Sequence, residues 1–346
     1  MRKGNKYGTH RVIEPAGALP QAALKISNDM KIFDNEILID VDYLNIDSAS
    51  FTQLKEEARG DLEKIKRKII DIVNNRGKMQ NPVTGSGGML IGVIERIGSK
   101  ITGKIDLNEG ERIATLVSLS LTPLQIDEIL DIQPKIDRVK INGKAILFES
   151  GIFSKLPEDL DERLSLAVLD VAGAPAQIKK LVKRGDNILI LGATGKSGLM
   201  CCYMAKKVVG KEGKVIGQAR NKDRAKFLRN TNVCDEVIIA DVINPFDVLK
   251  AIQDINNGKE VDISVNCLSI PNTEMTSILP VKDGGKVYFF SMATSFTKAA
   301  LGAEGVGKDV EMIIGNGYTK NHAEIALNLI RESNKLKTIF LEKYMI

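Results

Sequence analysis

A glycine-rich segment between an apolar strand and a helix constrains the fold of this chain more than any other feature. The apolar run Asn187–Leu191 has the length of a buried strand, and a helix is predicted over 196–209. Glycines between them permit a tight turn, a close approach of the backbone to a pyrophosphate, and close packing of the helix on the sheet. Amides at the helix N-terminus then face the anion. The predicted dinucleotide contacts are Gly192, Thr194, Gly195, Lys196, Ser197 and Gly198.

The pair Lys196-Ser197 also suggests a triphosphate-binding loop, because such loops end in Gly-Lys-Ser or Gly-Lys-Thr. That loop needs more residues between its glycines than the two that separate Gly192 from Gly195. The segment is too short to wrap a triphosphate. A dinucleotide is therefore the favoured ligand, and a glycine-rich turn without any ligand is the alternative.

The pattern of predicted secondary structure changes near residue 160. After this point predicted strands alternate with helices, the strands covering 187–191, 214–218, 236–240, 261–266, 286–290 and 310–314. The alternation is typical of a doubly wound parallel α/β sheet. Before it, strands are predicted at 36–42, 89–97, 111–119 and 145–148, with one clear helix at 62–74. We predict a β-rich domain over 1–160, a dinucleotide-binding domain over 161–320 and a C-terminal helical segment over 321–346.

Scarce residue types limit the chemistry of the chain. It has four cysteines, two histidines and no tryptophan, and no CxxC or HExxH pattern, so we expect no metal site. Free cysteines without framework spacing favour a reducing cytoplasm. The net charge of +5 comes from interspersed charges without an aromatic-lined basic stripe, so no nucleic-acid partner is expected. The absence of an apolar run of about 18 residues predicts no membrane span.

The second predicted strand of the dinucleotide-binding domain bears on the choice of cofactor. An NAD site usually has an acidic residue there, bound to the ribose hydroxyls. This chain has Ala219 and Arg220 instead. Arg220 is suited to pair with the 2′-phosphate of NADP, and the alternative is a surface cation. NAD and NADP both remain open from the residues alone.

Short motifs follow one another in the order found in medium-chain dehydrogenases/reductases, and the likeness runs over the full length. Segments that resemble the family's DEVLV, GIN/GIC, GxVxxVG, GDRV and GDxVLV motifs are Asn35–Ile39, Asn45–Asp47, Gly92–Gly98, Gly110–Ile113 and Gly185–Asn187. The resemblance implies a GroES-like β domain, then a Rossmann domain, then a C-terminal helix that returns to the N-terminal domain. It also implies a homodimer, in which the 310–314 strand is a candidate edge.

Two departures place the resemblance in the zinc-free branch. Zinc-dependent members have a cysteine after the GI turn, where this chain has Asp47, and a His-Glu pair before the GxV strand, where it has Gly88-Met89. The resemblance further implies that Leu268, Ser291 and Met292 lie on the cofactor-binding rim, since each follows the C-terminal end of a Rossmann strand.

A narrower resemblance is to the L-erythro-3,5-diaminohexanoate dehydrogenase family of anaerobic lysine fermentation. It rests on Gly8–Pro15, Leu19–Gln21, Asn81–Met89 and the glycine loop, of which the first two are not general features of medium-chain reductases. This resemblance implies oxidative deamination of the 3-amino group of a diamino acid, giving 5-amino-3-oxohexanoate, ammonia and reduced cofactor. It also implies NAD as the cofactor, with NADP possible because of Arg220.

Oxidation of an amine requires a neutral amine, so a base or a proton path is needed. Asp47 is the first candidate, because the resemblance puts it where a zinc ligand would stand; a turn-capping aspartate is the alternative. Ser48 is a candidate relay for its proton. His10 is a candidate proton carrier near neutral pH. The alternative for His10 is a loop histidine whose hydrogen bonds are satisfied within the protein.

The substrate carries one carboxylate and two amino groups, and three residues are candidates to bind it. Arg11 is suited to hold the carboxylate as a bidentate pair, and Glu14 to hold the distal amine. Ser86 is a candidate donor to the substrate. The alternatives are a surface arginine for Arg11 and a plain glycine-rich turn around Ser86.

Two other functions compete with the amine dehydrogenase. A zinc-free NADP-dependent quinone or enoyl reductase would share the glycine loop but would need no ammonium site. A non-catalytic nucleotide-binding protein on the same fold would bind the cofactor without turnover. Ammonia release coupled to cofactor reduction distinguishes the first function from the other two.

Overall fold

The computed structural model describes residues 2–290, 293–315 and 317–344, and the chain separates into two compact units, 1–162 and 163–346. The first unit contains β1 (Val12–Glu14), β2 (Lys25–Ile26), β3 (Glu36–Ile46), α1 (Ser48–Glu57), α2 (Leu62–Arg76), β4 (Gly88–Ile97), β5 (Arg112–Thr115), β6 (Leu124–Gln133), β7 (Arg138–Phe148) and β8 (Phe153–Lys155).

The second unit is built from alternating helices and strands, and α3 begins at its boundary. Its elements are α3 (Glu162–Leu169), α4 (Gly173–Leu181), β9 (Asn187–Leu191), α5 (Lys196–Val209), β10 (Lys214–Ala219), α6 (Lys222–Thr231), β11 (Glu236–Ile239), α7 (Pro245–Ile255), β12 (Val261–Asn266), α8 (Glu274–Ile278), β13 (Val281–Phe289), α9 (Phe296–Gly305), β14 (Val310–Ile314), α10 (His322–Glu332) and α11 (Asn334–Tyr344).

The first unit is organised around one antiparallel sheet in the order β6-β7-β3-β4-β5-β8. Strand β3 pairs along its length with both β4 and β7, and its apolar side chains enter the core. The sequence predicted only the last part of β7 and none of β6. The β6-β7 hairpin lacks the regular alternation of apolar and polar residues that predicts a strand, because register shifts interrupt its pairing.

Two helices pack on this sheet, where the sequence indicated one. The predicted helix 62–74 is α2, whose Ile65, Ile69 and Val73 are buried at helical spacing. Asp61 caps it by accepting from two backbone amides. The description of this region as β with a single helix is corrected by α1, which starts directly after Asp47. Only Phe51, Leu54 and the small Ser50 of α1 are buried, too few for a clear apolar period.

The second unit confirms the predicted doubly wound sheet. Its strands are parallel in the order β11-β10-β9-β12-β13-β14, so the order reverses between β9 and β12. Ligands of such sheets bind outside the carboxyl ends of the strands at this reversal. The glycine loop follows β9 and therefore lies at that point.

The C-terminal helices belong to the second compact unit. Helix α10 packs against α4 and α5, and Lys207 of α5 pairs with Glu332 at the end of α10. The return of residues 321–346 to the N-terminal domain stays a prediction. No helix in the described part of the chain is long and apolar enough to span a membrane.

Candidate functional site

The glycine loop has the backbone geometry of a phosphate cradle. Gly192 has φ +73°, a left-handed conformation that favours glycine. A Cβ on Gly198 would lie 2.2 Å from the Gly192 carbonyl oxygen, whereas a Cβ on Gly195 would meet only that oxygen, at 3.5 Å. Gly195 is the N-cap of α5, and no side chain caps the helix there. The residues present therefore fit a pyrophosphate on the α5 amides.

Two side chains that sequence reasoning missed lie at the ends of the neighbouring strands, and the first of them holds this loop. Gln218, at the end of β10, accepts from the Gly192 N–H at 3.2 Å and donates to the Ala240 carbonyl at 2.9 Å. Asn266, at the end of β12, accepts from the Leu268 N–H at 2.9 Å. The Leu268 side chain packs over Gly192, since a Cβ added to Gly192 would lie 3.0 Å from Leu268 Cδ2. Both missed residues are buried polar groups at the ends of apolar strands, which is the signal that marks them.

Lys196 and Arg220 have different surroundings. Lys196 forms an ion pair with Asp170 of the same unit, so its charge is already partnered. Arg220 is exposed just beyond β10 and precedes Asn221, the N-cap of α6. Ser291 and Met292 lie outside the described residues.

Lys343 of α11 also reaches the glycine loop, a contact that no sequence pattern predicted. Its ammonium donates to the Thr194 carbonyl and lies 4.5 Å from the centre of the Phe227 ring. Burial, helped by the Arg224 guanidinium, lowers the pKa of Lys343 to about 8. A helix from the C-terminal end of the chain thus fixes the cofactor loop.

Replacing Lys343 by Met is expected to weaken dinucleotide binding about ten-fold, because a hydrogen bond from a charged group contributes about 1.5 kcal/mol. Since the ammonium is charged only below its pKa, the affinity of the native protein should fall as the pH rises through about 8. The variant should lack that fall. Titration calorimetry from pH 6.5 to about 9.5 checks this, with Lys335→Met on the exposed face of α11 as the matched control. An unchanged pH profile in Lys343→Met would reject the role.

In the first unit, Asp47 is the N-cap of α1. Its Oδ1 accepts from the Ser50 N–H at 3.0 Å, and its Oδ2 is buried without a hydrogen-bond partner. A buried carboxylate oxygen without a partner is costly in a folded protein. The capping role considered from the sequence is therefore real, but it uses only one of the two oxygens. The other oxygen, Oδ2, is left without a hydrogen bond.

Ser86 belongs to a ring of three hydroxyls beside this helix terminus. The Ser50 oxygen lies 2.6 Å from that of Thr84 and 2.9 Å from that of Ser86, and the last two are 3.0 Å apart. Ser50 is fully buried, whereas Thr84 is exposed and Ser86 is half-buried. Asn81 fixes the loop by accepting from the Val83 and Thr84 N–H groups. Sequence reasoning named Ser86 and missed Ser50.

The structure does not bring Ser48 to Asp47 as a relay. Its hydroxyl donates to Asp137 at 2.7 Å instead. Glu14 is exposed on β1, opposite Lys25 of β2. These positions do not support a role in the reaction for Ser48 or Glu14.

His10 and Arg11 meet at the buried carboxylate of Glu36. Arg11 donates through Nε and Nη2 to the two Glu36 oxygens, at 2.6 and 2.7 Å, and also to backbone carbonyls. His10 accepts from the Asn5 N–H and donates through Nε2 to Glu36. Burial raises the pKa of Glu36, but the Arg11 and Phe33 hydrogen bonds outweigh it and hold that pKa below its usual range. These partners favour a structural role for both residues.

The four cysteines are free, and the backbone of Cys267 lies beside Gly192 of the glycine loop. Cys201 and Cys267 have their sulfurs 3.9 Å apart, and burial raises the pKa of the Cys201 and Cys202 thiols. Inert, buried thiols of this kind pack as small apolar residues. Among the described residues no group of three or more His, Cys, Asp or Glu side chains is placed to hold a metal ion.

Solved structures share the fold of this chain. An alcohol dehydrogenase from Thermus sp. ATN1 is similar with a TM-score of 0.55 and 16% identity, covering 90% of this chain and 87% of its own. An Escherichia coli quinone oxidoreductase solved with NADPH is similar with a TM-score of 0.51 and 16% identity, covering 87% and 80%. The fold is that of the medium-chain dehydrogenases/reductases, with a GroES-like and a Rossmann domain, as predicted.

Sequence comparison identifies the family to which the chain belongs. The family described as L-erythro-3,5-diaminohexanoate dehydrogenase N-terminal domain matches residues 10–157. Curated L-erythro-3,5-diaminohexanoate dehydrogenases are 68% identical in Acetoanaerobium sticklandii, over 99% of this chain and 100% of that protein, and 64% identical in Fusobacterium nucleatum, over 100% of both. The chain belongs to the L-erythro-3,5-diaminohexanoate dehydrogenase family.

Proposed function

We propose that this chain oxidatively deaminates L-erythro-3,5-diaminohexanoate at C3, giving 5-amino-3-oxohexanoate, ammonia and reduced cofactor, a reaction of anaerobic lysine fermentation. The observation that carries the proposal is the 68% identity to a curated dehydrogenase of that name over both compact units. The glycine loop supports it, since its geometry suits a dinucleotide. The four free cysteines favour the cytoplasm.

The cofactor would be held by the glycine loop of the second unit. The amides of Gly195 to Gly198 would face the pyrophosphate, with Gln218 and Lys343 fixing the loop behind them. A bound nicotinamide would supply the oxidising capacity of the reaction, as the acceptor of a hydride from substrate C3. The remaining work is proton transfer, hydrolysis and orientation, which falls to side chains.

Asp47 is the proposed base. The C3 ammonium must lose one proton before hydride can leave its carbon, and the unpartnered Oδ2 of Asp47 is an acceptor for that proton. The Ser50 N–H fixes the carboxylate through Oδ1. Loss of the hydride leaves a C3 iminium cation, to which water adds. The C–N bond then breaks, and the ketone and ammonium are released. The proton held by Asp47 passes to solvent, which completes the balance.

The cofactor is proposed to be NAD, with NADP use depending on Arg220. Arg220→Ala should weaken NADP binding about ten-fold and leave NAD nearly unchanged, because only NADP has a phosphate for the guanidinium to pair with. Dissociation constants for both cofactors measure this, and Lys222→Ala at the exposed start of α6 is the control. Equal losses for the two cofactors would mean that Arg220 does not bind the phosphate.

A homodimer through the outer edge of β14 is proposed. This strand pairs only with β13 in the described sheet, and Ile314 at its end is exposed. Phe296 and Leu301 of the neighbouring α9 are more than half exposed, and apolar patches of this kind mark interfaces. Ile314→Asp should shift the protein to monomers in sedimentation analysis, whereas Ile243→Asp, at another exposed site, should not. A native monomer would refute the proposal.

The first test of the activity is cofactor reduction with 3,5-diaminohexanoate as the only substrate. We expect reduction of the cofactor with the diamino acid. We expect no oxidation of NADPH with quinones or enones. Turnover of quinones or enones alone would favour the reductase alternative. Cofactor binding without turnover of any amine, alcohol or enone would favour a nucleotide-binding protein.

A further inference from the structure

The hydroxyl ring of Ser50, Thr84 and Ser86 presents acceptors rather than donors. Each hydroxyl has one hydrogen to donate, and the ring has three oxygen–oxygen contacts, at 2.6, 2.9 and 3.0 Å. One donor is used in each contact, so a complete ring directs no O–H outward. What it offers to a ligand is lone pairs, which attract a cationic donor and not a carboxylate.

The lone pair that remains available is on Ser86. Ser50 is fully buried, and Thr84 Oγ1 already accepts a long contact from the Ser86 N–H at 3.4 Å. Ser86 Oγ is half-buried, carries no such further contact, and is held in place by its two ring neighbours. Its oxygen is therefore an oriented acceptor beside the Asp47 carboxylate, to which Ser50 is joined through its backbone N–H.

We propose that Ser86 Oγ binds the non-reacting 5-ammonium of the substrate and that buried Ser50 is the positioning residue that keeps this oxygen an acceptor; this rests on the proposed function. The reacting 3-amino group must lose its proton, so it needs a base such as Asp47, not neutral acceptors that stabilise the ammonium. The 5-amino group never reacts and stays charged. The adjacent Asp47 and hydroxyl ring thus separate the two amines, which are two carbons apart. Ser86 therefore accepts from the substrate instead of donating to it.

Two non-reacting analogues test this in the presence of cofactor. 5-Aminohexanoate carries the carboxylate and the 5-ammonium, and hexanoate carries the carboxylate alone. Titration calorimetry should show that the native protein prefers 5-aminohexanoate. Ser86→Ala should reduce that affinity about ten-fold, the contribution of a hydrogen bond to a charged group, and leave hexanoate binding unchanged. Ser50→Ala should lose part of the preference, because it frees a ring hydroxyl to donate outward.

Controls separate this role from a structural one. Thr84→Ser keeps the third ring oxygen and should keep the preference, and Ser99→Ala changes an exposed serine elsewhere in the unit. Equal losses for both analogues in Ser86→Ala, or no native preference for the ammonium, would overturn the inference. The readout is binding, so it stands apart from turnover. A protein that prefers 5-aminohexanoate but does not oxidise the diamino acid would refute the proposed function and leave the ammonium site in place.

Discussion

Asp47→Asn should lower kcat for 3,5-diaminohexanoate by about 10²- to 10⁴-fold, the usual contribution of a positioned general base. Asparagine caps a helix as well as aspartate does, so α1 should keep its N-cap bond to the Ser50 N–H. What the amide lacks is the capacity to take the proton from the C3 ammonium. Steady-state kinetics with saturating cofactor measures the loss, and the cofactor dissociation constant should stay as in the native enzyme.

Asp61→Asn is the matched control for this prediction. Asp61 caps α2 through the same type of contact, accepting from the Glu63 and Lys64 N–H groups, and its carboxylate is exposed. It should leave kcat unchanged. If Asp47→Asn turned over substrate as fast as the native enzyme, Asp47 would be a capping residue only and the base would have to be another group.

Gly195→Ala and Gly198→Ala should both damage the cofactor site, for different reasons. A Cβ on Gly195 makes an ordinary contact at 3.5 Å, so the protein should keep its thermal stability. The methyl group then stands where a pyrophosphate approaches the α5 amides, and cofactor affinity should fall more than about ten-fold. A Cβ on Gly198 would lie 2.2 Å from the Gly192 carbonyl oxygen, so the loop must shift. That variant should lose about 1–3 kcal/mol of stability as well as cofactor binding.

Calorimetric melting and cofactor titration of the two variants separate these effects. Gly305→Ala is the control, because a Cβ at the end of α9 meets nothing within 4 Å. It should match the native protein in both measurements. Native cofactor affinity in Gly195→Ala would show that the pyrophosphate does not lie on this loop.

All six strands of the Rossmann sheet could be predicted from the sequence, whereas α3, α4, α8 and α9 could not. Its strands are continuous apolar runs because both faces are covered, and the glycine spacing at 192–198 has one main structural use. In the first unit, α1 and β6 carry few apolar residues in regular spacing, so their hydrophobic periodicity did not predict a helix or a strand.

The candidate site was harder to predict, because its partners are distant in the chain. From the sequence, Arg11 resembles a ligand-binding arginine. In the structure, Glu36 of β3 pairs with its guanidinium. Ser50 and Thr84 are ordinary residues until α1 and the 81–88 loop bring their hydroxyls together. Lys343 follows the glycine loop by well over a hundred residues, yet it donates to Thr194. Such pairings depend on tertiary packing, which local patterns do not encode.

The most direct test of the proposed reaction is the ratio of ammonia to reduced cofactor during oxidation of L-erythro-3,5-diaminohexanoate. Native enzyme, NAD and the diamino acid should give equal amounts of ammonia and reduced cofactor, with 5-amino-3-oxohexanoate as the organic product. Cofactor reduction without ammonia, or no reduction with this substrate, would contradict the assignment.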